Sequence, residues 1–368
     1  MPTVENEKSV IKDIEQREKK LGYFEKLLPL WVVVCIIIGL LFSQLFPSIA
    51  NGIDSLQIAN ISIPIGICLF LMMYPAMLNV QFNELKKLGK QPKPIILTLI
   101  SNWLIAPFVG LLMANIFLVD EQLIVAIILL SSSPCTAMVL VWGWLAKGNQ
   151  EQNVITTSLN TITIIIGYVP LVKFLTGLQN IPLDWIQLLA SAGVFIGLPL
   201  VLGIVSRYAV INSKGREWFE ETYKPLVGKV SIVALLFTLI ILFSLNGEVL
   251  ITNPDLTLIV SIPLLLGFAI VVGYNVIITK FVNLEYREAI ITVIIGSSSH
   301  FEIAIATAIA LYGVGSIGAL GTTMGLFWEV PIMLSIVYLG RYLAKKGFWK
   351  SKEKEKEKIE AKAKIEST

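Results

Sequence analysis

The sequence predicts an all-α integral membrane protein in which ten transmembrane helices form two inverted five-helix repeats, with discontinuous, crossed helices four and nine. Three observations lead to this fold class. The 368 residues are 55% hydrophobic and 15% charged, and the hydrophobic residues fall into runs of about 20 residues, the length that a helix needs to span a bilayer. The segments between these runs alternate in basic charge. Two of the runs carry matching polar stretches.

The apolar runs also divide the chain into regions. Residues 1–29 are polar and are predicted to be a cytoplasmic N-terminal segment rather than a cleavable signal peptide, because the first apolar run continues as a full span. The first repeat is expected over 30–180, the second over 181–345, and a charged cytoplasmic tail over 346–368. The predicted spans are 30–47, 61–80, 95–117, 122–146, 154–175, 187–206, 227–246, 257–280, 288–312 and 317–340.

Basic residues alternate between the segments that join the spans. Residues 1–29 carry six Lys or Arg, and the tail from Arg341 carries ten. Cytoplasmic loops of membrane proteins are enriched in Lys and Arg, so this pattern predicts a multi-pass protein of ten spans with both termini in the cytoplasm. The segments without Lys or Arg are 48–60, 118–121, 176–186, 247–256 and 313–316, whereas 81–94, 147–153, 207–226 and 281–287 carry at least one.

Two matching stretches lie in the fourth and ninth spans. Ile128–Met138 reads ILLSSSPCTAM, and Ile294–Ala304 reads IIGSSSHFEIA, so that three serines recur with an offset of 166 residues. Each stretch lies about ten residues into its span, near the middle of the membrane. Five spans per repeat is an odd number, so the second repeat enters from the opposite side, an arrangement typical of secondary transporters with broken helices at the binding site. The alternative is a pair of ordinary kinked helices whose small residues allow close packing.

Several polar residues at these breaks are candidates for transport chemistry. Glu302 is the first candidate for carrying a proton or cation, because an ionisable group at membrane depth is costly and tends to be functional. Glu329, in span ten, is the second candidate for proton coupling or a partner of Glu302, with a structural role as the alternative. His300 is interpreted as a hydrogen-bonding member of the site wall rather than as a proton carrier. The predicted substrate-binding residues are Cys135, Ser132, Ser133, Thr136, Ser298, Ser299, His300 and Asn102, with Tyr74 and Pro75 as further candidates for lining the cavity.

Cys135 differs from the other two cysteines, which are interpreted as inert apolar residues, because it follows a proline at the break. Thiolates suit soft ligands, and a single cysteine would hold a soft trivalent metalloid weakly enough to release it. The three cysteines show no CxxC spacing and the chain has one histidine, so a disulfide framework or a resident metal site is not expected. No nucleotide-binding or hydrolase motif is present, so we expect no enzyme activity, no cofactor and no nucleic-acid partner.

At these residues the sequence resembles the arsenical-resistance-3 family of arsenite efflux permeases, within the bile acid/arsenite/riboflavin transporter superfamily. That resemblance implies extrusion of As(III) across the plasma membrane in exchange for protons, with Sb(III) as a second cargo. It also implies essential roles for Cys135 as the metalloid contact and for Glu302. Two positions depart from the family pattern: Pro134 stands where an arginine is frequent, and Ser299–His300 stands where asparagine is frequent. The resembling segments are LMMYPAMLNV (71–80), SNWLIAP (101–107), PCTAMVLVWGWLAKGN (134–149), SSSHFEIAIATAIALYGV (297–314) and EVPIMLSIVYLGR (329–341).

Two other functions remain open on the sequence. A sodium-coupled importer of organic anions of the bile-acid type would use the serines and Glu302 to bind the ion, and Cys135 would have no role. A membrane receptor or structural subunit with a degenerate site is the third hypothesis, and the two matched breaks argue against it. The oligomeric state and the choice between arsenite and antimonite do not follow from the sequence.

Overall fold

The computed structural model describes residues 28–46, 57–58, 61–78, 92–136, 138–252, 254–313 and 315–350, and the described part is almost entirely helical. The short strands β1 (Gln57–Ile58) and β2 (Ile61–Ser62) pair antiparallel. The helices are α1 (Leu28–Leu45), α2 (Ile63–Leu78), α3 (Pro92–Phe117), α4 (Glu121–Ser131), α5 (Val139–Leu145), α6 (Gln150–Leu178), α7 (Trp185–Lys214), α8 (Arg216–Trp218, Phe219–Tyr223 and Lys224–Thr252 in continuous succession), α9 (Pro254–Phe281), α10 (Tyr286–Gly296), α11 (Phe301–Tyr312) and α12 (Ile317–Lys345).

The helices have the length and surface of membrane-spanning segments. In the described part, α3, α6, α7, α8, α9 and α12 are long and apolar enough to cross a membrane, while α1, α2, α4 and α11 are shorter apolar helices. Large apolar side chains lie on the outer surface, among them Ile166, Phe237 and Leu258, which are 71%, 59% and 61% exposed. Apolar side chains exposed on so many helices suit contact with lipid, so the prediction of a multi-pass membrane protein is confirmed. The number of spans and the inverted repeat stay predictions.

Side-chain caps explain where several helices begin. The Asp120 carboxylate accepts hydrogen bonds from the backbone N–H groups of Gln122 at 2.9 Å and Leu123 at 3.1 Å, which are otherwise unpaired at the first turn of α4. Asn149, Asp184 and Ser316 cap α6, α7 and α12 in the same way. The starts of these four helices are therefore encoded locally.

Two segments predicted as loops are instead mostly helical. The 207–226 segment is occupied by the end of α7 and the start of α8, which meet at Gly215 with φ of +87°. Likewise, α8 continues to Thr252, through most of 247–256. Hydropathy marks where an apolar run ends, but a helix can continue beyond it, and in 207–226 the Lys, Arg and Glu residues are good helix formers. The predicted N-terminal segment up to residue 27, much of loops 48–60 and 81–94, and the tail from 351 lie outside the described residues.

The helices pack as two groups. In one group, α8 packs along α1 and α2, and α7 packs along α2. In the other group, α3 and α12 pack against α4, α9 packs against α3 and α12, and α12 also packs against α11. Helix α11 packs in addition against α7 and α2. Residues 346–350 fold back on this second group. The Trp349 indole donates to the Thr279 hydroxyl at 3.2 Å, and the backbones of Lys350 and Glu285 form a parallel bridge.

Candidate functional site

The two polar stretches interrupt their helices and cross each other. Helix α4 ends at Ser131 and α5 begins at Val139, while α10 ends at Gly296 and α11 begins at Phe301. We call residues 132–138 the first break, residues 297–300 the second break, and both together the crossing. Pro134 lacks a backbone donor and cannot continue α4, and the serine hydroxyls compete for backbone groups. The predicted discontinuity is therefore present at both positions.

The crossing is held by backbone pairing between the breaks. Pro134 and Ser299 form an antiparallel bridge, and the His300 N–H donates to the Ser133 carbonyl at 2.6 Å. The Ser133 hydroxyl also donates to the His300 carbonyl at 3.3 Å. Irregular backbone at membrane depth is tolerated where protein buries it and supplies hydrogen bonds, and here each break supplies them to the other.

Glu329 lies against the second break. Its side chain, on α12, accepts hydrogen bonds from the Ser298 hydroxyl to Oε1 and from the Ser299 hydroxyl to Oε2, each at 2.7 Å. Glu329 is only 2% exposed, and a buried carboxylate needs such donors to offset the loss of water. The structure thus brings together three of the predicted site residues.

His300 joins the first break to Glu302. Its ring Nδ1 lies 3.2 Å from the Thr136 hydroxyl, and its Nε2 lies 3.5 Å from Glu302 Oε2. The histidine is fully buried and Glu302 is 5% exposed. Glu302 lies in the first turn of α11, so its position depends on where the second break ends.

Cys135 lies on the other side of the first break. Its side chain is 1% exposed and belongs to the apolar cluster that contains Val139 and Trp142, and it is not in a disulfide. The amide of Asn160, on α6, donates to the Cys135 carbonyl at 3.3 Å, and Asn102 donates to Asn160 Oδ1 at 3.3 Å. The predicted residue Asn102 therefore reaches the first break through a second asparagine.

A cavity of about 530 Å³, including its open mouth, lies between α3, α4, α9, α12 and the second break. Hydroxyl-bearing residues line part of it, namely Ser131 and Ser297–Ser299, and the rest of its wall is mostly apolar. Cys135, His300 and Glu302 do not line it. Of the predicted substrate-binding and proton-coupling residues, Ser298 and Ser299 therefore line the cavity, and the others do not.

The remaining predicted residues occupy different surroundings. Ser132 is fully buried, and its hydroxyl has no hydrogen-bond partner among the described residues. Tyr74 does not reach the crossing: its hydroxyl bonds to Ser206 at 2.5 Å and Tyr223 at 2.8 Å, so Tyr74 links α2 to α7 and α8. Pro75 follows it within α2. Among the described residues, no group of three or more His, Cys, Asp or Glu side chains could hold a metal ion.

Two asparagines at the crossing escaped the sequence prediction. Besides Asn160, Asn275 on α9 donates to the hydroxyls of Ser101 at 2.8 Å and Ser297 at 3.0 Å, and Ser101 donates to the Gly296 carbonyl at 2.7 Å. Each asparagine is an amide within an apolar span, where a polar side chain must find a partner. An amide side chain inside an apolar run was therefore a sequence signal that could have identified both residues.

Comparison with known proteins gives a consistent result. Residues 66–253, more than half of the chain, match the model of the Sodium Bile acid symporter family. The Uncharacterized transporter slr0944 of Synechocystis sp. is 39% identical, covering 89% of this chain and 90% of that protein. The Arsenical-resistance protein Acr3 of Alkaliphilus metalliredigens is 36% identical, covering 87% of this chain and 92% of that protein. The Arsenical-resistance protein Acr3 of Corynebacterium glutamicum is 28% identical, covering 89% and 92%.

Proposed function

The chain belongs to the Sodium Bile acid symporter family, a family of membrane transporters, and we propose that it extrudes trivalent arsenite from the cell in exchange for protons, with antimonite as a second cargo. Its similarity to two arsenical-resistance proteins over most of the chain supports this cargo. The observation that carries the mechanism is the crossing, where a cysteine and two buried glutamates lie on or next to two paired helix breaks.

The proposal places ten spans in the plasma membrane, as two inverted repeats with both termini in the cytoplasm. The alternation of basic segments supports this topology. The paired breaks support it too, because inverted repeats bring equivalent broken helices together near the midplane. A rocking of one helix group against the other would then expose the crossing to each side in turn.

The cargo would first meet hydroxyl groups and then a thiol. Arsenite at neutral pH is an uncharged trihydroxy species, so the hydroxyls of Ser297–Ser299 at the cavity offer it hydrogen bonds without a charge. Cys135 would supply the soft sulfur ligand. Since Cys135 is 1% exposed, cargo reaches it only when the first break shifts, which suits a site that opens alternately.

The two glutamates have unequal surroundings. Each oxygen of Glu329 accepts a serine hydrogen bond, whereas Glu302 Oε2 accepts none from the described residues and lies 3.5 Å from the His300 ring nitrogen Nε2. A buried carboxylate with few donors favours its neutral, protonated form. Glu302 would therefore be the group that exchanges a proton against cargo, while Glu329 would hold the second break and act as a second proton site.

Arsenite uptake into everted membrane vesicles tests the proposal. The wild-type chain should accumulate arsenite when a proton gradient is imposed, and Cys135→Ala and Glu302→Gln should each abolish uptake and arsenite resistance in a sensitive cell. Cys35→Ala is the matched control, because Cys35 is a buried cysteine of α1, far along the chain from the crossing. Wild-type uptake in both site variants would refute the proposal.

A sodium-coupled importer of organic anions is the second candidate, favoured by the sodium in the family description. It predicts uptake of a bile-acid-type anion that requires sodium and is unchanged by Cys135→Ala. The same vesicles separate the two functions when a sodium gradient replaces the proton gradient.

A further inference from the structure

His300 has surroundings that suit it for more than lining a wall. It is fully buried at the point where the two breaks pair, and both of its ring nitrogens face protein groups. Nδ1 faces the Thr136 hydroxyl, in the first break, and Nε2 faces Glu302 Oε2, in α11. Neither Nε2 nor Oε2 has a hydrogen-bond partner elsewhere in the described part of the chain. A buried polar atom without a hydrogen-bond partner is costly. His300 Nε2 and Glu302 Oε2 are therefore the partners available to each other.

This geometry allows two arrangements of hydrogens around a neutral imidazole. When Glu302 is protonated, its O–H points to an unprotonated Nε2, and Nδ1–H donates to Thr136 Oγ1. When Glu302 is ionised, Nε2–H donates to it, and Nδ1 accepts from the Thr136 hydroxyl. Neutral histidine carries its hydrogen on one ring nitrogen or the other, so a change of tautomer accompanies the change at Glu302.

We propose that His300 relays the proton between Glu302 and the first break, next to the cysteine that would hold the cargo. The Glu302 O–H bond breaks as the Nε2–H bond forms, and the Nδ1 proton passes through the Thr136 hydroxyl to a water molecule on the first-break side. The products are a carboxylate, the other histidine tautomer, an unchanged threonine and a hydronium ion. This inference rests on the proposed proton exchange at Glu302 and names the path by which it reaches Cys135.

Other titratable groups at the crossing lie off this path. Glu329 approaches the second break from α12, but both of its oxygens already accept hydrogen bonds from Ser298 and Ser299. The Cys135 thiol lies in an apolar cluster beside Thr136. The relay therefore connects the glutamate of one break to the cysteine-bearing loop of the other, which couples proton movement to the site of cargo release.

His300→Gln tests the relay in everted vesicles. Glutamine keeps a donor and an acceptor but cannot pass a proton between them. We expect the maximal rate of proton-driven arsenite uptake to fall at least about tenfold, in line with the effect of a positioned proton-transfer group, and its dependence on pH to flatten. The KM for arsenite should stay within about threefold, since the relay acts after cargo binds. A wild-type rate and pH profile, or a raised KM with an unchanged rate, would overturn the relay.

Thr136 variants test the same path without touching the histidine. Thr136→Val, which removes the hydroxyl at nearly constant shape, should reproduce the flattened pH profile, whereas Thr136→Ser should keep the wild-type profile. Thr307→Val is the matched control, because it removes a buried hydroxyl of α11 that pairs with Tyr168 instead. The double variant His300→Gln/Thr136→Val should be no worse than either single variant, and additive losses would contradict a shared path.

Measurements on the wild-type chain distinguish a failure of the proposed proton exchange from a failure of the relay alone. Arsenite uptake that ignores the proton gradient in the wild type would overturn the proposed exchange together with the relay. Proton-driven uptake that persists in His300→Gln and Thr136→Val would overturn the relay alone.

Discussion

Replacing Asn160 should weaken the first break more than replacing Asn102. Asn160 makes two hydrogen bonds, one to the Cys135 carbonyl and one from Asn102, each at 3.3 Å. Asn160→Ala removes both bonds, whereas Asn102→Ala removes only the second. An unpaired buried neutral group costs about 1–3 kcal/mol, and measured hydrogen bonds between membrane helices average about 0.6 kcal/mol. We therefore expect a loss of about 2 kcal/mol for Asn160→Ala and about 1 kcal/mol for Asn102→Ala.

Thermal unfolding in detergent and arsenite uptake in vesicles measure this difference. If the lost stability falls on the first break alone, about 2 kcal/mol shifts the ratio of the ordered to the disrupted break by roughly thirtyfold toward the disrupted state, and transport falls as the disrupted state becomes populated. Thr163→Val is the control on the same helix, because it removes only a local bond to the Asn160 carbonyl and should have almost no effect.

The double variant decides whether the two asparagines act in series. Asn102→Ala/Asn160→Ala should cost about as much as Asn160→Ala alone, since the bond between them is already lost. A larger effect for Asn102→Ala than for Asn160→Ala, or additive costs in the double variant, would refute the series.

Four further substitutions test three other contacts. In Gly110→Ala, the added Cβ would lie 2.3 Å from Ser131 Oγ and 2.5 Å from Ser131 Cβ. The free energy of unfolding in detergent should therefore fall by about 1–3 kcal/mol. In the control Gly177→Ala, the added Cβ has nothing within 4 Å, and the free energy of unfolding should rise by about 0.5–1 kcal/mol. Ser298→Ala and Ser299→Ala each remove one donor to Glu329 and should cost about 1–3 kcal/mol, while a threonine at either position should restore the bond. Trp349 is 4% exposed, and Trp349→Ala would leave a cavity that should cost about 3–5 kcal/mol, measured as faster proteolysis of the chain end. Thr279→Val removes only the hydroxyl that accepts the Trp349 hydrogen bond, and an equally large effect from it would contradict a mainly packing role for Trp349.

The sequence predicted the positions of the breaks because their causes are local. Pro134 removes a backbone donor, and the serine triplets disturb the helix, whatever the helix packs against. The partners of the breaks depend on how helices turn toward each other, which composition does not reveal. Asn160 is 25 residues from Cys135 along the chain, and Asn275 is 174 residues from Ser101. Cys135 is buried and does not line the cavity, which likewise follows from packing and not from its position after Pro134.

The two breaks match in sequence but differ in what surrounds them, and this difference suits an exchange of unlike species. In the first break, the contacts come from neutral groups: Asn160 to the Cys135 carbonyl, and Thr136 to the histidine ring. The second break carries the acidic contacts, with Glu329 on its serines and Glu302 just beyond it. In the proposed exchange, the thiol that would hold the cargo and the carboxylate that would hold the proton therefore lie at different breaks. The backbone N–H of His300 donates a hydrogen bond to the Ser133 carbonyl, so a shift of either break disturbs the other. The proposed exchange requires such a link, because breaks that moved independently would let protons or cargo cross alone.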